Sequence, residues 1–288
     1  MKKYILIAAI AVMTAACCNN QKKEKQVLAR TVPERADDFV FENDLIAGRF
    51  YGQALEGNPT SPGIDIWVKL PGALVANDWY NHAVNDDPDY YHHDHGGKDC
   101  YKVAVSRGGG ASAPFVDGRL CYPATNYRSS EILEDTANKV VFMLHYPEWE
   151  AAEGISVKLD KKVSLESGSY FADVTDIYTF TGADSLCIAA GIKLHGAQET
   201  VQEVYSDADR YAIWEKASDQ SIEPEDGMVG VAVIVPESVE TVVSPELDHA
   251  LLIKKVASGE PFEYSYGSCW SKGNLKNHES WFREVRNR

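Results

Sequence analysis

Hydrophobic and polar residues alternate over short distances through most of the chain. GIDIWVKL (63–70), KVVFMLHY (139–146), GISVKLDKKVSL (154–165) and YFADVTDIYTF (170–180) show the pattern. LCIAAGIKL (186–194), RYAIWEKA (210–217), MVGVAVIVP (228–236), HALLIKKV (249–256) and PFEYSYGS (261–268) continue it. These stretches are rich in Val, Ile, Tyr and Phe and are bounded by Gly, Asp, Ser or Pro, which predicts β-strands. No helical period separates them, so the pattern predicts an all-β fold, a large antiparallel β-sandwich. The closing NHESWFREVRNR predicts a short helix capped at Asn277 or Ser280. With no internal repeat and no Pro/Gly-rich linker, residues 31–288 are expected to form a single catalytic domain. Residues 71–135 break the alternation. They read as a long irregular insertion, polar and aromatic, forming one wall of a pocket.

The N-terminus follows a different pattern. Lys2 and Lys3 precede an apolar run over 5–13, then Thr14, Ala15, Ala16 and Cys17. This is the form of a secretory signal peptide over 1–16, and Cys17 resembles the lipidated residue of a bacterial lipoprotein. Residues 17–30 are expected to be a flexible tether. The expected location is an exported lipoprotein anchored to the outer membrane and facing the periplasm. The lipid would be its only membrane contact, because the apolar run over 4–16 falls short of the roughly 20 residues a spanning helix needs. A net charge of −15 excludes non-specific binding to nucleic acid. The apolar fraction of 44% is too high for a disordered chain. Beyond Cys17 and Cys18 stand Cys100, Cys121, Cys187 and Cys269, with no CxxC pair. An oxidising compartment permits disulfides among them, although Cys187, in an apolar run, is expected to be a buried free thiol.

Candidate chemistry concentrates in Tyr90-Tyr91-His92-His93-Asp94-His95-Gly96-Gly97-Lys98-Asp99-Cys100-Tyr101-Lys102. Imidazoles titrate near neutrality and suit general acid–base work, which makes His92 and His95 candidates. Tyr101 and Lys102 join them if their surroundings lower their pKa. A zinc or calcium site built on His93, His95 and Asp99 or Asp94 is the alternative. Arg107, in SRGGG, offers a charge beside glycines that admit close approach. Arg49, Tyr51, Asp65, Trp67, Asn126 and Arg128 are further lining candidates, since Arg grips carboxylates and aromatic faces carry sugar rings. His145 fits packing within its strand, and His195 fits either a site or a cap.

Several of these segments together resemble one family. They are PERADDFVFENDLIAGRFYGQAL (33–55), SPGIDIWVK (61–69), YHHDHGGKDCYKV (91–103), SRGGG, NYR (126–128) and YGSCWSKG (266–273). The chain resembles a family of secreted bacterial proteins, labelled as a domain of unknown function, that occurs in polysaccharide-utilisation systems. That family includes oligosaccharide dehydratase activity on glucuronate-ended ulvan fragments. The resemblance implies a sandwich similar to the galactose-mutarotase supersandwich. It also implies a hydro-lyase that removes water across C4–C5 of a uronic acid at the non-reducing end of an oligosaccharide. Arg49, Arg107 or Arg128 would neutralise the substrate carboxylate. His92, His95 or Tyr101 would take the C5 proton, Tyr101 or a histidine would protonate the leaving hydroxyl, and Lys102 would stabilise the enolate-like charge. No cofactor is implied. The family pattern leads us to expect a bulky residue before Arg49, where Gly48 stands. The alternatives are a glycoside hydrolase using paired carboxylates (Asp65, Asp94, Asp99) or a lipid-anchored glycan-binding protein without turnover.

Overall fold

The computed structural model describes residues 24–57, 63–123, 125–195, 201–217, 223–244 and 248–288. In chain order the strands begin β1 (Val27–Val32), β2 (Asp38–Asn43), β3 (Ala47–Phe50), β4 (Ile64–Lys69), β5 (Gly97–Asp99) and β6 (Gly109–Val116). Then come β7 (Arg119–Leu120), β8 (Ser129–Asp135), β9 (Lys139–Ala152), β10 (Ile155–Glu166), β11 (Phe171–Thr181) and β12 (Ser185–Lys193). The last are β13 (Val201–Ser206), β14 (Arg210–Lys216), β15 (Met228–Ile234), β16 (Glu240–Ser244), β17 (His249–Ala257) and β18 (Pro261–Trp270). Two α-helices, α1 (Ala76–Asn85) and α2 (His278–Asn287), accompany them.

The strands make three antiparallel sheets, ordered β1-β2-β3-β4-β5, β13-β14-β15-β18-β11-β10-β9-β8 and β16-β17-β12-β6-β7. A parallel bridge between Ile64 and Gly108 joins the first and third sheets into one layer facing the eight-stranded sheet. Glycine is required at that seam. A Cβ on Gly108 would lie 2.1 Å from the Ile64 carbonyl, and the residue's φ is +56°. Strict alternation along β10 points Val157, Leu159, Val163 and Leu165 inward, and β11 does the same with Ala172, Val174, Tyr178 and Phe180. Phe39, Phe41 and Phe142 clasp the first sheet to the eight-stranded one, with ring centroids 4.5 Å apart for Phe39–Phe142. The expected all-β antiparallel sandwich is the observed fold.

Both helices cover outer faces. On α2, Trp281, Phe282 and Val285 pack on Phe171, Ala212, Trp214 and Ala232 of the eight-stranded sheet. Asn277 caps α2, as its sequence indicates, by accepting from the Ser280 N–H at 3.0 Å. On α1, Trp79 and Tyr80 cover Trp67, Val40 and Ala47 of the first sheet.

Several expectations change. Residues 71–135 are not irregular, for they contain α1, β5, β6, β7 and all of β8. The tether expected over 17–30 does not extend through residues 26–30, because Val27–Val32 pairs with β2 and Gln26 donates to Ala137 O. Residues 1–23, including the signal segment and Cys17, lie outside the described residues. Cys121, Cys187 and Cys269 are free thiols, Cys100 is buried, and Cys187 is half-buried rather than buried. His145 does not pack inward; its ring turns outward to Asp160, with Nδ1 2.6 Å from the carboxylate. No helix among the described residues is long and apolar enough to cross a membrane.

Candidate active site

The histidine-rich segment disperses its side chains. His95 is exposed and stacks on Tyr90 at 3.8 Å, and Tyr90 stacks on His82 at 4.4 Å. His92 is buried beside Tyr91. Asp94 meets Lys272 at 2.7 Å. His93 and His95 have ring centroids 6.5 Å apart, while Asp99 is buried against Arg49. No group of three metal-ligating side chains occurs among the described residues, so His93, His95 and Asp99 do not form the alternative zinc or calcium site.

Arg49, Tyr51, Asp65 and Trp67 do come together, but as a closed hub. Asp65 and Trp67 alternate onto the outer face of β4, and Arg49 pairs across from Asp65. The guanidinium lies 2.6 Å from Asp65, 3.3 Å from Asp99 and 3.6 Å from Asp38. Tyr51, Trp67 and Tyr91 pack against it at 5.1–5.2 Å from their ring centroids. Burial opposes the charge, but Asp65 and the neighbouring Tyr51, Tyr80 and Asp38 outweigh it and hold the Arg49 pKa well above its ordinary value. Three carboxylates already occupy this arginine, so it is not the group that meets a substrate carboxylate. Asp65 and Asp99 are likewise committed, which removes the carboxylate pair of a hydrolase. Gly48 faces inward, and a Cβ there would lie 2.6 Å from both Asp65 O and the Phe41 ring. The bulky residue expected at this position does not fit.

Tyr101 and Lys102 part from the histidine loop and meet His195 instead. The Tyr101 hydroxyl donates to Lys193 O at 2.7 Å, and its ring edge meets His195 at 4.8 Å. Burial, then the nearby Glu215 carboxylate, hold the Tyr101 pKa well above its ordinary value. His195 Nδ1 is 2.6 Å from Glu215, and Nε2 is 2.6 Å from the Lys102 carbonyl. The Lys102 side chain is exposed. Asn126 is also structural, donating from its Nδ2 to Gly52 O at 2.7 Å. Arg128 grips Glu56 through both terminal nitrogens, Nη2 at 3.1 Å.

Arg107 enters a second polar cluster of the interior. Its backbone is pinned by donation to His249 Nε2 at 2.9 Å. Its guanidinium donates to Ser112 O and lies 4.5 Å from the Tyr122 ring centroid. The neighbouring glycines serve strand packing, not a ligand: a Cβ on Gly109 would strike Ile66 at 1.8 Å, and one on Gly110 would strike Tyr266 at 2.3 Å. The Ser112 hydroxyl bonds both Asp176 and Tyr178, the latter at 2.7 Å. Asp176 also receives Lys161 at 2.7 and 2.8 Å, and Lys161 donates to the Tyr264 hydroxyl at 3.0 Å. Arg107, Lys161, Asp176, Tyr178 and Tyr264 are buried, while Tyr122 and Tyr146 reach solvent.

Charges and phenols perturb one another here. Burial and the repulsion of Arg107 lower the Lys161 pKa against the pull of Asp176. Burial lowers that of Arg107 and raises those of Tyr178, Tyr264 and Tyr146, with Asp176 adding to the rise of all three phenols. Tyr122 is raised by burial and eased back by Arg107. Sequence reading had Arg107 but missed Lys161, Asp176 and the tyrosines. The signal was present: Lys161 and Asp176 are charges at the inward, apolar phase of alternating strands. Such placement costs stability unless the charge is paired, and perturbed groups of this kind concentrate at functional sites.

Known proteins bear on this arrangement to different degrees. "Uncharacterized protein P7" of Formosa agariphila is 35% identical over 224 residues, which is 74% of this chain and 53% of that protein. The chain thus spans about half the length of that relative. A solved structure described as "Putative kojibiose phosphorylase from human microbiome" superposes on 52% of this chain and 20% of its own, with a TM-score of 0.32 and 8% identity. That likeness is too distant to bear on fold or activity. A family model matches residues 11–287, nearly the whole chain, and the protein belongs to the family described as domain of unknown function DUF4861.

Proposed function

We propose that the chain is a carbohydrate-active hydro-lyase acting on a uronic acid at the non-reducing end of an oligosaccharide. The resemblance noted in its sequence motifs suggests the reaction. The observation that carries the site is two buried cations, Arg107 and Lys161, near enough to repel each other, with the Asp176 carboxylate bonded to Lys161 in a tyrosine-lined interior. In a chain of net charge −15, such a local excess of positive charge is what an anionic sugar needs. Arg107 neutralises the substrate carboxylate once Tyr122 swings off its face, which makes the C5 proton acidic. Tyr122, which reaches solvent, gives up its own phenolic proton to water and takes the C5 proton as the phenolate; burial raises its pKa and Arg107 only partly offsets this, so the step gains as pH rises. Tyr146, kept protonated by burial, donates to the departing 4-hydroxyl. The C5–H and C4–O bonds break, the C4=C5 bond forms, and water leaves. Lys161, fixed by Asp176, stabilises the enolate-like charge in the role first expected of Lys102. No cofactor takes part.

A second reading has one observation in its favour. Glu215 orients His195 at 2.6 Å beside Tyr101, an acid–base arrangement whose free access awaits displacement of the Lys102 carbonyl. The test is a screen of uronate-ended oligosaccharides by mass spectrometry, looking for loss of one water. Loss abolished by Arg107→Lys supports the tyrosine interior. Loss abolished by His195→Ala but kept by Arg107→Lys moves catalysis to His195. New reducing ends indicate a hydrolase, and binding without turnover indicates a glycan-binding protein. We further propose that the protein is an exported lipoprotein attached through Cys17 to the outer membrane on its periplasmic side. Cys17→Ser is expected to leave it in the soluble fraction; pelleting with membranes after a high-salt wash would refute the anchor.

A further inference from the structure

A concavity opens where the turn between β1 and β2 meets the start of β8. It is a cleft of about 320 Å³, near the lower end of the roughly 300–1,000 Å³ usual for small-molecule sites. Its polar lining is the Thr31, Ser129 and Ser130 hydroxyls, the Gln53 amide, the Asp37 carboxylate and Arg128. Tyr127 and Pro33 supply its apolar surface.

The walls are preformed at a steric cost. Ala36 and Asp37 are consecutive non-glycine residues with φ of +53° and +55°, a conformation that Cβ atoms disfavour. Three contacts enforce it. The Tyr127 hydroxyl donates to Asp37 O at 2.6 Å. Gly52 presses so close that a Cβ there would lie 1.9 Å from the same oxygen. Asn126 donates from Nδ2 to the Gly52 carbonyl and from its backbone N–H to the Glu56 carboxylate at 2.9 Å. Glu56 in turn spans both terminal nitrogens of Arg128, so the charge of that arginine is already balanced.

That balance decides the ligand. With Arg128 matched by Glu56, the Asp37 carboxylate gives the cleft net negative character, which repels uronates and sulfates. The remaining groups are hydroxyls, an amide and one carboxylate acceptor, a complement to sugar hydroxyls that both donate and accept. The Arg128 N–H donates to His145 O at 2.8 Å, one residue before Tyr146, so the cleft lies beside the tyrosine interior. We propose that this cleft is a subsite for a neutral sugar unit of the oligosaccharide whose uronate end enters the tyrosine interior. The inference rests on the carbohydrate reading above but on none of the residues assigned to its chemistry.

The test is saturation-transfer NMR and titration of the full chain with cellobiose, and with glucuronic acid for comparison. Cellobiose should bind, and Asp37→Asn and Gln53→Ala should each weaken it about tenfold, the scale of one lost hydrogen bond. Both residues are exposed, and unchanged melting of the two variants confirms that the fold is intact. No binding of cellobiose to the wild type overturns the proposal. So does binding that neither variant weakens, or a preference for glucuronic acid that Gln53→Ala abolishes. The same titration on Arg107→Lys separates the two claims. Cellobiose binding that persists there, and remains sensitive to Gln53→Ala, upholds the subsite even if no uronide ever loses water.

Discussion

Replacing Asp176 by Asn removes the only carboxylate within 3 Å of the buried Lys161 ammonium among the described contacts. At 2.7 Å, Coulomb's law gives about 6 kcal/mol for the pair at an effective dielectric of about 20. Desolvation of both groups cancels much of that, yet removing one partner strands the other charge and costs about 3–5 kcal/mol. For a domain of this size, that corresponds to a fall in Tm of roughly 6–20 °C. Lys161→Met should cost less, because Asp176 keeps the Ser112 hydroxyl and can accept a proton. The double variant Lys161→Met/Asp176→Asn removes both charges and should recover most of the loss, giving a coupling of about 2 kcal/mol or more in a double-mutant cycle. Urea denaturation with matched m-values measures all three. The same double variant should be folded but inactive, which separates the catalytic role proposed for the pair from its contribution to the sheet. Single variants that each cost under about 1 kcal/mol, with an additive double, would show that the pair does not sit in a dry interior.

Three other outcomes are expected. His95→Ala should cost at most the roughly 0.5–1.5 kcal/mol of its stack on Tyr90 and leave turnover almost unchanged; a loss of about 100-fold would return catalysis to the histidine loop. Glu42→Ala should destabilise by about 2–4 kcal/mol and loosen α1, seen as hydrogen exchange at Val75 and Ala76; protection equal to wild type would contradict this. On the alkaline side, burial raises the pKa of Tyr101, Tyr178, Tyr264 and Tyr266 well above the ordinary 10.0, so the folded state keeps protons that the unfolded chain releases. Their contribution to stability is intact below pH 10 and is lost as pH rises beyond it; ionisation of all fifteen tyrosines with the fold intact, read by phenolate absorbance, would refute the burial.

The longer strands were legible because their inward positions are apolar and their outward ones polar, as in β9, β10 and β11. The elements that were not legible draw their stability from distant partners. Helix α1 has Val75 at its N-cap, and its first N–H groups are satisfied by Glu42 of β2, at 2.7 Å to Val75 and 2.8 Å to Ala76. No local cap signals it. Strand β6 opens with Gly, Ala and Ser because Ile66 and Tyr266 fill the space a side chain would need. The site was legible in part for the same reason. Arg107 stood out beside its glycines, but its partners lie on β6, β10, β11 and β18, and only their pairing brings them together. The histidine cluster was conspicuous in sequence, yet His92 is buried, His95 stacks on Tyr90 at the surface and His93 meets it only edge-on. Proximity along the chain proved a poor guide to proximity in space.

The central claim is that Arg107 and the tyrosines around it drive elimination of water from a uronate end. One measurement tests it most directly: mass spectrometry of uronate-ended oligosaccharides incubated with wild type and with Arg107→Lys, alongside the absorbance of the unsaturated product. The account predicts loss of one water with rising absorbance for the wild type. It predicts a fall of about 100-fold or more for the variant, the scale of a lost preorganised cation. Elimination by Arg107→Lys at the wild-type rate, or products that gain water instead of losing it, would contradict the account.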